Sequence, residues 1–436
     1  MKRYLAAPSG AVVLLLAASV AWAQSLPAAK PEEVGLSAQR LAKIEQVFKQ
    51  EVEQGRLPGA VVMVARKGKL AYQTAVGFQD RAKDIPMRAD SIFRIYSMTK
   101  PLASVAAMML VEDGRIQLTD PIARWLPEMK SLQVSAPRPD ASQPAMAFTL
   151  VPTDRPPTVY DLLRHTAGLA YGEITANAPA KAAYVKAKLV KSDIDYEARD
   201  LTPDEQIQAL AAAPLIHQPG TTWEYSLAVD VLGRVVERAS GQRLGTFLEE
   251  RMFKPLKMVD TSFAIGGDRA PRLAEPLAID PATGRPNKLI DVSQPPKNDS
   301  GGAGAVSTAG DYLRFAQAML DGGQLDGQRI VSRTTVGLMA SDHLGSYIRR
   351  TAEPGELLMG VKGYTFGLGF MVRQDQGLAA VPGSAGEFMW AGYAGTFFWI
   401  DPKEQLVAVL MTQAPGPSRP YYRRELKQLV YQAIVD

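Results

Sequence analysis

Leu41, Ile44, Phe48 and Val52 recur at three- and four-residue intervals, the spacing of one apolar helix face, and Ser37 stands where an N-cap would sit. Gly59 to Arg66 and Leu70 to Phe78 are rich in β-branched and apolar residues. With Lys67-Gly68-Lys69 between them, they predict a β-hairpin. A second helix is predicted to begin near Ser97, with Leu102, Val105, Ala106, Met109 and Leu110 as its apolar stripe and Gly114 at its end. Pro101 is tolerated in its first turn, where backbone N–H groups lack intrahelical partners. From about 130 to 157 the chain is rich in Pro, Ser and Ala and reads as a long surface excursion. Helical patterns dominate from about Val159 to Met252, Tyr225 to Ser240 included. A loop-rich stretch, Pro255 to Ser300, leads to Gly301-Gly302-Ala303-Gly304. Strand patterns return at Tyr364 to Arg373, Ala394 to Ile400 and Gln405 to Thr412, and a helix carrying Leu426, Leu429, Val430 and Ile434 closes the chain.

Strands at both ends and helices between them, with no repeat of fixed period, predict an α/β (α+β) architecture. One sheet would be built from both termini. Its α/β part would span about 33–115 and 301–436, with a mainly helical insertion at about 116–300.

Composition adds that this is a foldable chain: 46% hydrophobic and 22% charged residues exclude disorder as the main state. The first residues read as an export signal, residues 1–23. Lys2 and Arg3 precede a short apolar run from Gly10 to Ala21, and Ala21-Trp22-Ala23 forms a small-x-small cleavage site before Gln24. That run is too short to span a bilayer, which takes about 20 apolar residues. The mature chain, 24–436, is expected outside the cytoplasm, in the periplasm or secreted, with no stable membrane anchor. Removing Lys2 and Arg3 takes the formal charge from +4 to +2, so the balance gives no reason to expect nucleic acid. There is no Cys, which excludes disulfides, thiolate chemistry and Cys metal sites.

The three histidines, His165, His217 and His343, form no H-E-x-x-H pair, and no metal or other cofactor is expected. No G-x-S-x-G elbow occurs. A triad using His165 is weaker than a hydrogen-bonded His at a helix end. What remains is Ser97-Met98-Thr99-Lys100. A serine needs a base within hydrogen-bond reach, and an i, i+3 spacing puts both side chains on one helix face. Lys serves when its neighbours keep it neutral part of the time, and the helix start offers a backbone N–H to an oxyanion. In isolation S-x-x-K reads better as an N-cap serine with an exposed lysine. Its place after a strand pair, opening a strongly amphipathic helix, favours chemistry. Gly301 to Gly304 lacks a phosphate-loop Lys and reads as a flexible or close-packed turn. Gly383-Ser384-Ala385-Gly386 borders a cleft or is only a loop, and the scattered Met residues read as core.

The segment SIFRIYSMTKP, Ser91 to Pro101, resembles the nucleophile region of family VIII carboxylesterases, relatives of class C β-lactamases and penicillin-binding proteins. Further matches follow in order: Leu118 to Pro127 (LTDPIARWLP), Asp161 to Leu169 (DLLRHTAGL), Pro219 to Ser226 (PGTTWEYS), Gly301 to Gly304, and Trp390-Ala391-Gly392. The resemblance covers about Glu33 to Val435. It implies a β-lactamase/DD-peptidase-like fold, an antiparallel sheet flanked by helices plus an inserted helical region. It implies that Ser97 is acylated, that Lys100 and Tyr225 share the base and acid roles, and that the backbone N–H groups of Ser97 and Tyr393 form the oxyanion hole. Trp390 and Gly392 would line the substrate site. Two departures bear on specificity. Trp390-Ala391-Gly392 stands where β-lactamases carry Lys/His-Thr/Ser-Gly, and Leu227 stands where an Asn amide is usual. Both favour a small-molecule neutral ester, with short acyl chains implied by the family. The rival readings are a β-lactamase or D-Ala-type peptidase or amidase, an acyltransferase, and a non-catalytic cell-wall-binding protein.

Overall fold

The computed structural model describes residues 26–138, 147–190 and 200–436, so the export signal expected at 1–23 lies outside the described residues. Helix α1 (Ala38–Glu53) begins as its pattern predicts: Ser37 Oγ accepts from the Arg40 N–H, and Leu41, Ile44, Phe48 and Val52 are buried. The hairpin forms from β1 (Gly59–Arg66) and β2 (Lys69–Asp80). Lys67 and Gly68 both have positive φ, +53° and +75°, the geometry of a tight turn whose twist matches the strands.

Helix α2 (Thr99–Glu112) differs from expectation in one respect. Every residue from Thr99 to Leu110 is buried, so it is a central core helix rather than an amphipathic one. The reason is in the sequence: Ala103, Ala107 and Met108 fill the faces between the predicted stripe, leaving no polar side for water. Pro101 does fall in its first turn, and Gly114 (φ +69°) follows its end.

Within the surface excursion expected at about 130–157, of which 139–146 lie outside the described residues, the chain forms a pair of antiparallel strands, Gln133–Pro137 and Phe148–Pro152. Their prolines sit at strand ends, where a missing N–H costs the ladder little. The middle of the chain holds short helices at Val159–Leu163, Ala178–Lys186 and Pro203–Ala212, then α3 (Ala228–Ser240). Tyr225 is therefore not helical: it follows the extended Thr222–Trp223, and the helix starts only after Leu227. The stretch from 255 to 300 is irregular, as predicted, apart from one 3₁₀ segment.

Helix α4 (Ala309–Leu320), capped by Thr308, went unpredicted. The pattern from Tyr364 to Arg373 is two strands, β3 being the short Ile85–Pro86, β4 Tyr364–Phe366 and β5 Met371–Arg373. A turn containing Gly369 (φ +87°) separates β4 from β5, which continuous apolar character concealed. β6 (Phe388–Ala391), unforeseen as a strand, β7 (Phe397–Asp401) and β8 (Leu406–Thr412) follow. Helix α5 (Arg419–Tyr431) closes the chain, with Ile434 beyond it bridged to Leu36.

The eight strands make one antiparallel sheet in the order β4-β5-β6-β7-β8-β1-β2-β3. The two ends of the chain meet at its centre, where β1 pairs with β8 and Ala60 stands opposite Thr412. Neighbouring residues of a strand point to opposite faces. Accordingly Phe398 meets Tyr312 of α4 (ring centroids 4.8 Å apart), while Trp399 stacks on Tyr431 of α5 (6.2 Å). Helices α1 and α5 pack together over one face. On the other, the Tyr312 hydroxyl donates to the Met98 carbonyl at 2.8 Å, tying α4 to the start of α2.

Candidate active site

Ser97 sits in a single 3₁₀ turn, Tyr96–Met98, that leads directly into α2. Tyr96 before it has φ +44°, a left-handed conformation that costs a bulky residue on the order of 1–3 kcal/mol. Two contacts hold it there. Its hydroxyl accepts from the Ile290 N–H at 2.9 Å, and its ring meets Tyr393 edge-on at 5.4 Å.

Lys100, one turn along, is 1% exposed, so it is not the solvated lysine of an ordinary helix start. Its Nζ lies 3.4 Å from Ser97 Oγ and donates to the Tyr171 hydroxyl and the Gly302 carbonyl, both at 2.8 Å. The ammonium's three donors thus meet two hydroxyls and one carbonyl. Nζ also lies 4.8 Å from the centre of the Tyr225 ring. The Tyr225 hydroxyl donates to Ser97 Oγ at 2.7 Å. Ser97 and Lys100, one turn apart, and Tyr225 from a distant segment are therefore one hydrogen-bonded group.

Aromatic rings hold Tyr225 in place: Tyr171 at 5.2 Å, Trp390 at 5.4 Å and His165 at 5.1 Å. His165 is not a triad member. Its Nδ1 lies 3.2 Å from Ser226 Oγ, and its ring is buried behind Tyr225. Burial, and then the nearby charge of Lys100, holds its imidazole well below the ordinary histidine value. It is the hydrogen-bonded histidine at a helix end that the sequence favours.

A cavity of about 290 Å³ opens over Ser97, and Tyr225, Trp390, Gly392 and Tyr393 all line it. Trp390 is 1% exposed and also packs edge-on against Phe366, so it serves both core and cavity. Gly392 lets β6 approach the nucleophile turn. A Cβ there would stand 2.3 Å from the Ile95 carbonyl oxygen and 2.2 Å from Thr396 Oγ1. Arg423 of α5 donates to the Gly392 carbonyl at 2.8 Å and fixes the turn that presents Tyr393. Leu227 is buried and does not line the cavity. Gly383 and Ser384 border a different hollow, beside Arg373 and Tyr431, and are removed from the cleft. The close-packed reading of Gly301 to Gly304 holds: a Cβ on Gly301 would meet the Val229 carbonyl oxygen at 2.7 Å.

Sequence reasoning missed two residues, Tyr171 and Gly302, that grip Lys100. Tyr171 stands two positions after the DLLRHTAGL segment, and Gly302 lies inside the glycine-rich turn. No local pattern links either to Lys100. Among the described residues, no group of three or more His, Asp or Glu side chains could hold a metal ion.

An antiparallel sheet covered on both faces, with a serine wired to a lysine and a tyrosine at one end of a core helix, defines a serine hydrolase. The Beta-lactamase family model matches residues 44–432. The chain belongs to the β-lactamase family. Esterase EstB of Burkholderia gladioli is 33% identical over 403 residues, 88% of this chain and 93% of that protein. Protein Rv1367c of Mycobacterium tuberculosis is 35% identical over 367 residues, 82% of this chain and 86% of that one. Among solved structures, EstCE1, a hydrolase with promiscuous acyltransferase activity, superposes with a TM-score of 0.71 at 28% identity, covering 91% of this chain and 99% of that chain.

Proposed function

We propose that this protein is an exported carboxylesterase that cleaves small neutral esters through an acyl-enzyme on Ser97. The observation that carries the reading is the 2.7 Å contact between the Tyr225 hydroxyl and Ser97 Oγ, with Lys100 Nζ alongside, at the floor of an open cavity. In the form of the pair that carries one proton fewer, a Tyr225 phenolate beside the Lys100 ammonium, Ser97 gives its proton to the phenolate as Oγ attacks the ester carbonyl. The backbone N–H groups of Ser97 and Tyr393 receive the developing oxyanion. Tyr225 then protonates the departing alcohol. In the second half, water gives a proton to the same pair, attacks the acyl carbon and releases the acid with Ser97 restored.

Ile174, Leu357, Leu358 and Trp390 give the cavity apolar walls, which suits an uncharged acyl group. The resemblance to EstB supports the esterase reading. A second reading, acyl transfer to an alcohol or amine other than water, is favoured by the likeness to EstCE1. The catalytic unit is 24–436, its α/β part about 33–115 and 301–436 and its helical insertion about 116–300.

The test is hydrolysis of p-nitrophenyl butyrate by the mature chain beside a folded Ser97→Ala variant. Activity abolished by the substitution is expected, and equal rates in both would remove Ser97 from the mechanism. Adding a primary alcohol and measuring new ester against free acid separates transfer from hydrolysis. Export rests on residues 1–23. Among the described residues no helix is long and apolar enough to cross a membrane. Sequencing the N-terminus of the protein recovered from outside the cytoplasm should begin at Gln24. Protein found only in the cytoplasm, with Met1 retained, would sink the export reading.

A further inference from the structure

Asp230 lies in the first turn of α3 and is entirely buried. Its Oδ1 accepts from Ser300 Oγ at 2.5 Å and from the Gly302 N–H at 3.2 Å, and its Oδ2 is buried with no hydrogen-bond partner. Nearby cations are committed elsewhere. Arg234, one turn further along α3, donates to Glu237 and to the Asp299 carbonyl, and Arg243 pairs with the Asp299 carboxylate. A buried carboxylate held by one hydroxyl and one amide is costly, which asks what its acceptor achieves.

Gly302 supplies the connection. Its N–H goes to Asp230, and its carbonyl accepts from Lys100 Nζ at 2.8 Å. The joint is tight: a Cβ on Gly302 would stand 2.1 Å from Asp230 Oδ2. Helix α3 begins just after Tyr225-Ser226-Leu227, and the Asp230 N–H closes on the Leu227 carbonyl at 3.0 Å. One side chain therefore joins the segment bearing Tyr225 to the carbonyl that fixes Lys100.

We propose that Asp230 is a positioning residue for the Ser97 reaction, setting Lys100 Nζ against Ser97 and Tyr225 through Gly302. This rests on the reading of Ser97 as nucleophile. Asp230 does not line the cavity, so its loss disturbs the reacting groups without reshaping the walls that bind substrate. The signature is a fall in kcat at nearly constant KM.

The experiment compares Asp230→Ala, Asp230→Asn and Gly302→Ala in the full chain, on p-nitrophenyl butyrate, with a thermal melt of each. Asp230→Ala should lower kcat about 10- to 100-fold with KM within about twofold, the scale of a small misplacement of catalytic groups. Asp230→Asn keeps an oxygen acceptor for Gly302 and should recover to within about fivefold of wild type. Gly302→Ala forces the same joint from its other side and should reproduce the kcat loss. An Asn variant no better than Ala, or kcat and KM moving together, overturns the proposal. If Asp230→Ala does not fold, a folded Gly302→Ala with wild-type kcat overturns it, and one with reduced kcat at unchanged KM supports it. Should no variant fold, Asp230 serves stability and the proposal fails. Hydrolysis that survives Ser97→Ala would instead remove the parent reading, so the two failures are distinct.

Discussion

A serine hydroxyl becomes a nucleophile only when something takes its proton, and the Tyr225 phenol is the nearer of the two groups offered to Ser97, at 2.7 Å against 3.4 Å for Lys100 Nζ. Tyr225→Phe keeps the ring in its aromatic surroundings and removes only the hydroxyl. It should lower kcat by about 10²- to 10⁴-fold with KM nearly unchanged, the range for losing a general acid–base group. Steady-state kinetics at several pH values would check this, and near-wild-type turnover would assign the base role to Lys100 alone. At this scale the sequence was readable where geometry is local. Ser97 and Lys100 lie one helical turn apart, and that spacing alone brings them together. Tyr225 was reachable only through its resemblance to a family segment. Tyr171 and Gly302 were not legible, because their meeting with Lys100 depends on how two distant segments fold over α2.

The elements follow the same division. Helix α1 and the β1–β2 hairpin carry complete local signals, an N-cap serine and a turn tolerant of positive φ, and both formed as predicted. Strand β6 is a short apolar run with little local contrast, whereas helix α4 carries a Thr308 N-cap and Asp311, Arg314 and Gln317 at helical spacing; both were missed. Helix α4 also contains a titrating group. Burial pushes the Asp311 carboxyl up to about 7 from 3.8, although the Asp260 N–H and Thr261 hydroxyl donate to it. A carboxyl that holds its proton to higher pH when folded favours the fold in acid. The stabilisation is complete below about 3.8 and is lost as pH rises through about 7. Asp311→Asn mimics the protonated form. Its melting temperature should match wild type near pH 4 and exceed it by several degrees above pH 8. Parallel curves across that interval would show that Asp311 does not titrate there.

Across the whole molecule, the sheet is locked to α5 by a buried polar hub. Glu387, wholly buried just before β6, pairs with Arg373 and Lys427 and accepts from the hydroxyls of Tyr364 and Tyr431. Glu387→Ala would leave two cations buried without their carboxylate and should cost about 3–5 kcal/mol in chemical denaturation. A loss below about 1 kcal/mol would mean that Asp401 and water take over its partners. The overall plan was legible because apolar runs at both ends and helical periods between them leave few ways to build one sheet.

That plan also sets an order in time. β1 cannot gain its central neighbour until β8 exists, and Ala60 waits for Thr412. A chain growing from its N-terminus therefore keeps its first hairpin half-paired through most of its synthesis. Pairings so distant in sequence also form slowly once both strands are present. The cleft over Ser97, walled in part by Trp390 and Tyr393, is therefore complete only once that late part of the chain has been made.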